Sequence, residues 1–160
     1  MEKATDKIKE LATAKDLVKQ WKREGKKVVF TNGCFDILHL GHVDYLEHAR
    51  DLGDKLVLGL NTDDSIGRFK GPNRPIQDQI SRAHVLASLQ SIDLVVFFNE
   101  DTPHRLIVEL LPDVLVKGSD YLAENIIGAD VVKKNGGVVK TIEFVPGYST
   151  TRIIEKIKKT

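Results

Sequence analysis

The chain has 160 residues, of which 41% are hydrophobic, enough for one ordinary domain but too few for two independent cores. Its 24 Lys and Arg residues against 23 Asp and Glu residues leave a formal net charge of +1, so it lacks the basic character of nucleic-acid-binding proteins. Because it has one cysteine, no apolar run near the ~20 residues of a membrane span and no secretory signal, we expect a cytoplasmic protein without internal disulfides that binds neither nucleic acid nor membrane.

The N-terminal segment is predicted to form one amphipathic helix over residues 2–24. Its apolar residues recur at helical spacing, and Leu17 and Trp21 fall on the face that we expect to be buried. We interpret residues 1–25 as a helical extension that packs on the main domain or supports a homodimer, and residues 26–160 as the main domain.

Strands and helices are predicted to alternate through the rest of the chain. Apolar, β-branched runs predict five strands, at residues 28–30, 56–60, 94–98, 114–116 and 138–142. Helical patterns follow them, at residues 43–52, 80–89, 105–111, 123–134 and 151–158. Because parallel strands need crossover helices, we predict an α/β fold with a Rossmann-like, doubly wound, five-stranded parallel sheet and an N-terminal helix. Residues 68–78, which hold two prolines, are predicted to form an exposed, mobile loop.

The turn after the first strand carries the most distinctive residues. Two common phosphate-binding patterns, Gly-x-x-x-x-Gly-Lys-Ser/Thr and Gly-x-Gly-x-x-Gly, are absent. Instead, His39 and His42 lie near the start of a predicted helix, where free N–H groups and the positive end of the helix dipole attract phosphate. Gly33 and Gly41 allow a close approach of backbone and ligand. The turn therefore predicts a phosphate site suited to phosphoryl or nucleotidyl transfer, which needs mainly positioning and charge neutralisation.

Two other interpretations of the histidine pair remain open. Cys34, His39 and His42 are potential metal ligands close together in the sequence, although no fourth ligand follows at zinc-like spacing. The two histidines are also compatible with a plain role at a helix start.

Two motifs carry a resemblance to a known family. The His-Leu-Gly-His run at residues 39–42, preceded by Gly-Cys-Phe-Asp at 33–36, resembles the His-x-Gly-His signature of the cytidylyltransferase-like nucleotidyltransferase superfamily. Residues 147–151 resemble its Gly-x-Ser-Thr/Ser-Thr/Ser motif. Both motifs follow predicted strands, at the edge where doubly wound sheets bind ligands. The resemblance covers nearly the whole chain and implies that residues 26–160 are a nucleotidyltransferase domain, an enzyme.

Further stretches narrow the resemblance to the adenylyltransferases that make ADP-heptose from D-glycero-β-D-manno-heptose 1-phosphate and ATP. They are residues 61–65 with 70–75, 100–103 and 112–121. In bacteria this activity is often fused behind a sugar kinase, and since the chain has no kinase portion, the resemblance implies the stand-alone form. CTP-using relatives carry Arg-Thr-x-Gly before the hydroxyl motif, whereas this chain has Phe-Val-Pro-Gly at 144–147, which favours ATP over CTP.

The resemblance and the chemistry of the side chains together imply roles for individual residues. Three residues are expected to be catalytic: His39, His42 and Lys70. Those expected to bind the nucleotide are Gly33, Cys34, Phe35, Gly41, Lys117, Gly118, Asp120, Gly147, Ser149, Thr150 and Thr151. Those expected to bind the sugar phosphate are Asn61, Asp63, Ser65, Arg74 and Arg82. No protein ligand to a metal is expected, because Mg²⁺ would be bound through the phosphates of ATP.

Several alternatives stay open at this point. The basic residues of the 68–78 loop and Arg82 are equally compatible with solvated surface or ion-paired positions. A CTP-dependent cytidylyltransferase for glycerol 3-phosphate or a phospho-amino-alcohol would use the same mechanism, and a non-catalytic ATP-binding module would use the same phosphate contacts. An aminoacyl-tRNA synthetase is disfavoured by the chain length and by the lack of a Lys-Met-Ser-Lys-Ser-like loop.

Overall fold

The chain folds around a five-stranded parallel sheet, as seen in a computed structural model that describes residues 1–160. The strands are β1 (Val28–Gly33), β2 (Lys55–Asn61), β3 (Leu94–Phe98), β4 (Val114–Gly118) and β5 (Val138–Ile142). Their order across the sheet is β3-β2-β1-β4-β5, and every neighbouring pair is parallel. The strand order reverses between β1 and β4, so the carboxyl ends of these two strands flank the crevice where such sheets bind ligands.

Helices cover both faces of the sheet, which confirms the predicted doubly wound α/β architecture. The helices are α1 (Leu11–Arg23), α2 (Leu40–Arg50), α3 (Asp63–Lys70), α4 (Gln79–Ala87), α5 (His104–Leu110), α6 (Ala129–Lys134) and α7 (Thr150–Lys158). Successive strand residues point to opposite faces: Phe30 packs in the core that includes α1 and α5, whereas Val29 packs in the core that includes α2 and α4. No helix of the chain has the length and apolar character to cross a membrane.

The N-terminal segment shares a core with the sheet. Trp21 and Val18 of α1 are buried in the same cluster as the strand residues Phe30 and Leu94. The predicted N-terminal helix is present as α1, but it begins at Leu11 rather than at residue 2. The residues before it form a short 3-10 helix, Ala4–Lys7, and then an extended residue, Ile8, that makes a β-bridge with Val95. The apolar face of α1, which motivated the homodimer expectation, is thus covered within the chain.

Two other segments differ from the prediction. Residues 68–70, expected to begin a loop, are instead the end of α3, which starts at Asp63 because the Thr62 side chain accepts a hydrogen bond from the Ser65 backbone N–H. Residues 123–134, expected to be one helix, form a 3-10 helix, Ala123–Asn125, and then α6. Gly128, with φ of 85°, separates them, because a left-handed residue cannot continue a right-handed helix.

The last strand and helix are the least enclosed elements. Strand β5 lies at the edge of the sheet, and Val138 on it is exposed. Helix α7 begins after Ser149, whose side chain accepts a hydrogen bond from the Arg152 backbone N–H, and none of its residues is buried. The predicted hydroxyl motif therefore opens a helix that packs only lightly on the rest of the chain.

Candidate functional site

Two cavities open at the carboxyl end of the sheet. The larger, of about 600 Å³, lies where β1 to β4 end, and we call it the outer cavity. The smaller, of about 200 Å³, is lined by His42 and Thr150, and we call it the histidine cavity. The two share a wall, to which the following residues belong: Asn32, Gly33, Cys34, Lys70, Lys117 and Tyr121. A ligand in one cavity is therefore in contact range of a ligand in the other.

The two motifs that were separate in sequence meet at the histidine cavity. A Cβ atom built on Gly41 would lie 3.2 Å from the Tyr148 Cβ atom and 3.0 Å from Cε1 of His39. The Thr150 hydroxyl donates a hydrogen bond to the Ile37 carbonyl at 3.4 Å. The N-termini of α2 and α7 thus sit side by side, and both direct backbone N–H groups to the same region.

The two histidines form a stacked pair at the start of α2. Their ring centroids are 3.8 Å apart, and the rings are inclined by 23°. The Nδ1 atom of each ring is buried and has no hydrogen-bond partner. An unpaired buried polar atom costs about 1–3 kcal/mol. Each ring therefore carries an uncompensated desolvation cost in the free protein. A phosphate oxygen in the cavity would instead contact Nε2, which is not enclosed in this way.

Burial keeps the His42 imidazole neutral. Its removal from water, aided by the nearby His39 and Lys70, lowers the pKa of His42 to about 4. Burial also lowers the pKa of His39. A neutral imidazole has one N–H donor and one acceptor nitrogen, so His42 is suited to donate a hydrogen bond to a phosphate near neutral pH without carrying a charge of its own.

Phe35 fixes the position of the His42 ring. The two rings meet edge to face with centroids 5.0 Å apart. Phe35 has a φ of 47°, an uncommon conformation for a residue with a side chain. A Cβ atom on Gly33 would lie 2.8 Å from the Phe35 ring, so only glycine leaves room for it. Because residue 33 is glycine, the Phe35 ring can fold back over the turn and pack against His42.

Two lysines bring positive charge to the wall between the cavities. Lys117 leaves the end of β4, where its ammonium donates to the Asn32 carbonyl at 3.3 Å and lies 5.1 Å from the centre of the Tyr121 ring. Burial lowers the pKa of Lys117, while Asp120 opposes that change. Lys70, at the end of α3, also lines both cavities. Anionic groups from two ligands would meet between these cations.

The thiol of Cys34 lies in the same wall. Burial raises the pKa of Cys34 despite the surrounding lysines and arginines, so the group is a neutral thiol. Its Sγ atom lies 3.8 Å from Oδ1 of Asn61, a weak donor contact. Cys34 therefore shapes the wall, and Asn61 is held between it and Ser65, to which Asn61 donates at 3.0 Å.

Phe144 forms the far wall of the histidine cavity. Its ring stacks on Tyr45 with centroids 5.4 Å apart. A Cβ atom on Gly118 would lie 2.1 Å from the Phe144 ring and 2.7 Å from Oδ1 of Asp120, so glycine is required at the end of β4. Phe144, which replaces the arginine-containing stretch of CTP-using relatives, is packed here as part of an aromatic surface beside Asp120.

Two residues expected to bind the sugar phosphate have hydrogen-bond partners within the chain. Arg82 is 1% exposed, and its guanidinium donates to the carbonyls of Cys34, Asn61 and Gln77 and to the Asp63 carboxylate. These partners leave it no side open to a cavity. It joins the end of β1, the end of β2 and the start of α4.

Arg74 is engaged in the same way. Its Nε atom donates at 2.9 Å to Asp36, which also accepts the backbone N–H groups of Ile76 and Gln77. Burial alone would raise the pKa of Asp36, but these donors outweigh it and lower that pKa. Asp36 therefore anchors the segment after α3 to the turn that carries the histidines, and the Arg74 side chain is only 20% exposed.

The structure brings together most of the sequence-predicted residues. Those that line one or both cavities are Gly33, Cys34, Phe35, His42, Asn61, Lys70, Lys117, Gly118, Asp120 and Thr150. Those that line neither cavity are His39, Gly41, Asp63, Ser65, Arg74, Arg82, Gly147, Ser149 and Thr151. Several other lining residues had been given no ligand-binding role from the sequence: Arg68, Asp101, Thr102, Asn125 and Phe144. They lie in α3, in the loop after β3, in the 3-10 helix Ala123–Asn125 and after β5, so they come together only in the fold.

The potential metal ligands of the turn do not form a cluster. No group of three or more His, Cys, Asp or Glu side chains in residues 1–160 is placed to hold a metal ion. The geometry of Cys34, His39 and His42 thus favours the phosphate interpretation over metal ligation.

Comparisons with known proteins agree with this geometry. The Cytidylyltransferase-like family model matches residues 30–156. The chain is 54% identical over 153 residues to the Bifunctional protein HldE of Magnetococcus marinus, covering 96% of this chain and 31% of the relative. It therefore spans about a third of the length of that curated relative. The family match over most of the chain and the 54% identity together indicate that this chain and the relative are homologous.

Two solved structures extend the comparison. The lipopolysaccharide core biosynthesis protein of Thermoplasma volcanium is 32% identical, with a TM-score of 0.60, covering 76% of this chain and 98% of that one. The pantothenate synthetase of Thermus thermophilus is 15% identical, with a TM-score of 0.64, covering 96% of this chain and 70% of that one. The second likeness concerns the fold alone.

Proposed function

The chain belongs to the cytidylyltransferase-like family and is a nucleotidyltransferase, and from this we propose that it transfers AMP from ATP to a sugar 1-phosphate. The acceptor that we propose is D-glycero-β-D-manno-heptose 1-phosphate, and the products are ADP-heptose and pyrophosphate. The relative at 54% identity is a Bifunctional protein HldE, and the solved relative at 32% identity is named for lipopolysaccharide core biosynthesis, a process that consumes activated sugars.

The observation that carries the proposal is the shared wall of the two cavities. One cavity presents two helix N-termini and His42, which suit a triphosphate, and the other is roomy enough for a phosphorylated sugar. Lys70 and Lys117 lie between them. Two substrates bound in this way would have their phosphates adjacent. Holding two reactants close and correctly oriented supplies much of the rate enhancement of a two-substrate reaction.

The proposed reaction is an in-line displacement. A phosphate oxygen of the sugar 1-phosphate attacks the α-phosphorus of ATP, the bond from the α-phosphorus to the bridging oxygen breaks, and pyrophosphate leaves with that oxygen. No general base is needed, because the attacking phosphate is ionised near neutral pH. His42 and His39 donate hydrogen bonds where negative charge grows on the leaving oxygens, and Lys70 neutralises the triphosphate. Thr150 and the start of α7 hold its far end.

Magnesium fits this site as part of the nucleotide. The cavities offer cations and neutral imidazoles rather than a group of carboxylates, so the ion would be held by phosphate oxygens and water, as is usual for Mg²⁺. It would supply charge neutralisation across the triphosphate. Lys70 and Lys117 would then neutralise the charge that remains on the α-phosphate and the acceptor phosphate.

Phe144 supports ATP as the donor. It lines the histidine cavity together with Tyr45, which gives this end of the cavity an aromatic surface for a base. The arginine that CTP-using relatives carry near this position is replaced. A purine, with its larger stacking surface, gains more from such a wall than a pyrimidine.

A substrate panel tests the proposal. Purified chain with Mg²⁺ is assayed for pyrophosphate release with ATP or CTP against heptose 1-phosphate, mannose 1-phosphate, glycerol 3-phosphate and phosphoethanolamine. We expect the highest kcat/KM with ATP and heptose 1-phosphate. A preference for CTP with either of the last two acceptors would contradict the adenylyltransferase assignment, and ATP binding without pyrophosphate release from any acceptor would point to a non-catalytic module.

A further inference from the structure

The outer cavity contains a charged pair that the proposed mechanism does not use. Arg68 lies in α3, and Asp101 lies in the loop after β3. The Arg68 Nε atom donates to Oδ1 of Asp101 at 3.0 Å, and its Nη2 atom donates to the Asn99 carbonyl. Both side chains line the outer cavity and neither lines the histidine cavity, so the pair lies apart from the proposed triphosphate site.

The pair keeps one donor group and one acceptor atom free. Nη1 of Arg68 and Oδ2 of Asp101 make no hydrogen bond within the chain, and the two side chains are 45% and 81% exposed. A guanidinium edge has N–H donors only, and a carboxylate oxygen is an acceptor only. One ligand hydroxyl group can accept from the first, and another can donate to the second.

The ion pair also removes net charge from this part of the cavity. Asp101 alone would attract a cationic acceptor such as a phosphorylated amino-alcohol, and Arg68 alone would attract a second anionic group. Paired, they favour a neutral partner with hydroxyl groups. The positive charges of the cavity lie elsewhere, at Lys70 and Lys117 in the shared wall, where the acceptor phosphate would bind.

The surroundings of the pair suit a sugar ring. Thr102 and Asn125 add a hydroxyl and an amide to the cavity lining, while Phe69 and Ile127 add apolar surface and are exposed. A sugar ring has both polar hydroxyls and an apolar C–H face, which matches a mixed lining of this kind.

We propose that Arg68 and Asp101 form an acceptor-specificity pair that binds two neighbouring hydroxyls of the sugar phosphate. The pair selects a neutral polyhydroxylated acceptor over a cationic or doubly anionic one. This inference rests on the proposed function and names how its acceptor is recognised. Removing Arg68 and removing Asp101 should therefore shift acceptor selectivity in opposite directions.

Reciprocal substitutions test the pair. Arg68→Gln leaves the Asp101 carboxylate uncompensated, and Asp101→Asn leaves the Arg68 guanidinium uncompensated. For both variants we expect kcat/KM with heptose 1-phosphate to fall by roughly tenfold or more, mainly through KM, because each loses a charge-assisted hydrogen bond to a hydroxyl. Relative to heptose 1-phosphate, R68Q should gain activity with phosphoethanolamine, and D101N should gain activity with mannose 1,6-bisphosphate.

Controls separate this inference from the proposed function. Arg105→Gln removes an exposed ion pair with Glu100 that lies outside both cavities, and we expect its kcat/KM to stay within twofold of the wild type. The Kd for ATP should be unchanged in R68Q and D101N. Wild-type activity with unchanged acceptor selectivity in both variants would overturn the specificity pair alone. A wild type that releases no pyrophosphate with any sugar 1-phosphate would overturn the proposed function as well.

Discussion

The imidazole rings of His39 and His42 lie face to face, with centroids 3.8 Å apart, and the Nδ1 atom of each ring is buried without a partner. The arrangement holds two neutral rings together where two charged rings would repel each other. Neither Nδ1 atom has a hydrogen-bond partner within the chain. We therefore propose that the pair acts on a bound phosphate.

Replacing His42 with alanine should remove catalysis and keep the fold. We expect kcat to fall by about 100-fold or more, the usual loss for one donor that acts in the transition state. The fold should be kept, because the substitution removes ring contacts with His39 and Phe35 but no hydrogen bond of the imidazole Nδ1 atom within the chain. His48→Ala, an exposed histidine on the same helix, is the matched control. Turnover near the wild-type rate in H42A would contradict the assigned role.

The pKa values of two histidines on α2 should be shifted in opposite directions. Burial lowers the pKa of His42 to about 4, whereas the Asp44 carbonyl and carboxylate raise the pKa of His48 above its ordinary value of 6.5. NMR titration of the imidazole carbon-bound protons would measure both. A His42 signal that moves near pH 6.5 in the ligand-free chain would contradict the buried, neutral state.

The same shift predicts a loss of stability in acid. In the unfolded chain His42 takes up its proton near pH 6.5, but in the folded chain only near pH 4. The unfolded state therefore binds more protons between these values, and the free energy of unfolding falls as the pH decreases through this window. Urea unfolding at several pH values would show a smaller decrease over this range for H42A than for the wild type.

Arg82→Met tests the scaffold role of a buried guanidinium. Its loss leaves three carbonyl groups and the Asp63 carboxylate without their donor, so we expect the free energy of unfolding to fall by about 3 kcal/mol. Arg105→Met, which removes an exposed pair, should change it by less than about 0.5 kcal/mol. Urea unfolding measures both. Unchanged stability with a raised KM for the sugar phosphate would instead show that Arg82 contacts the substrate.

Gly118→Ala should disturb the aromatic wall of the histidine cavity. The new methyl group would lie 2.1 Å from the Phe144 ring, so the ring must leave its stack on Tyr45. We expect a loss of about 1–3 kcal/mol in stability, typical of overpacking, together with weaker ATP binding. In a Phe144→Ala background the same change should cost clearly less, since the colliding ring is gone. An equal cost in both backgrounds would mean that the contact with Asp120 dominates.

The sheet was predictable because its signal is local and strong. Runs such as Val28 to Phe30 and Leu94 to Phe98 are apolar on both faces, which is typical of parallel strands covered by helices. The elements that were predicted incorrectly are determined by single residues. Ile8 leaves the helical pattern to pair with Val95, Gly128 interrupts a helix, and the Thr62 cap starts a helix whose sequence is mostly polar.

The candidate site was predictable where it depends on consecutive residues. The histidine turn and the hydroxyl motif are such runs, and each is at the carboxyl end of a strand. The role of Arg82 could not be predicted, because the sequence does not distinguish a buried arginine from one that contacts a ligand. Arg68 and Asp101 are separated by a strand and a helix and meet only through the order of β2 and β3. Their partnership is a property of the fold.

Helix α7 places Thr150 in the histidine cavity although none of its own side chains is buried. Local opening of such an element costs much less than global unfolding. In the free enzyme the C-terminal helix should therefore exchange its amide hydrogens faster than the central strands. A bound triphosphate would slow that exchange, and the apparent affinity for nucleotide would be lower than the intrinsic one by the fraction of time that the helix is docked. The rate of amide hydrogen exchange in α7 would then show whether the donor nucleotide is bound.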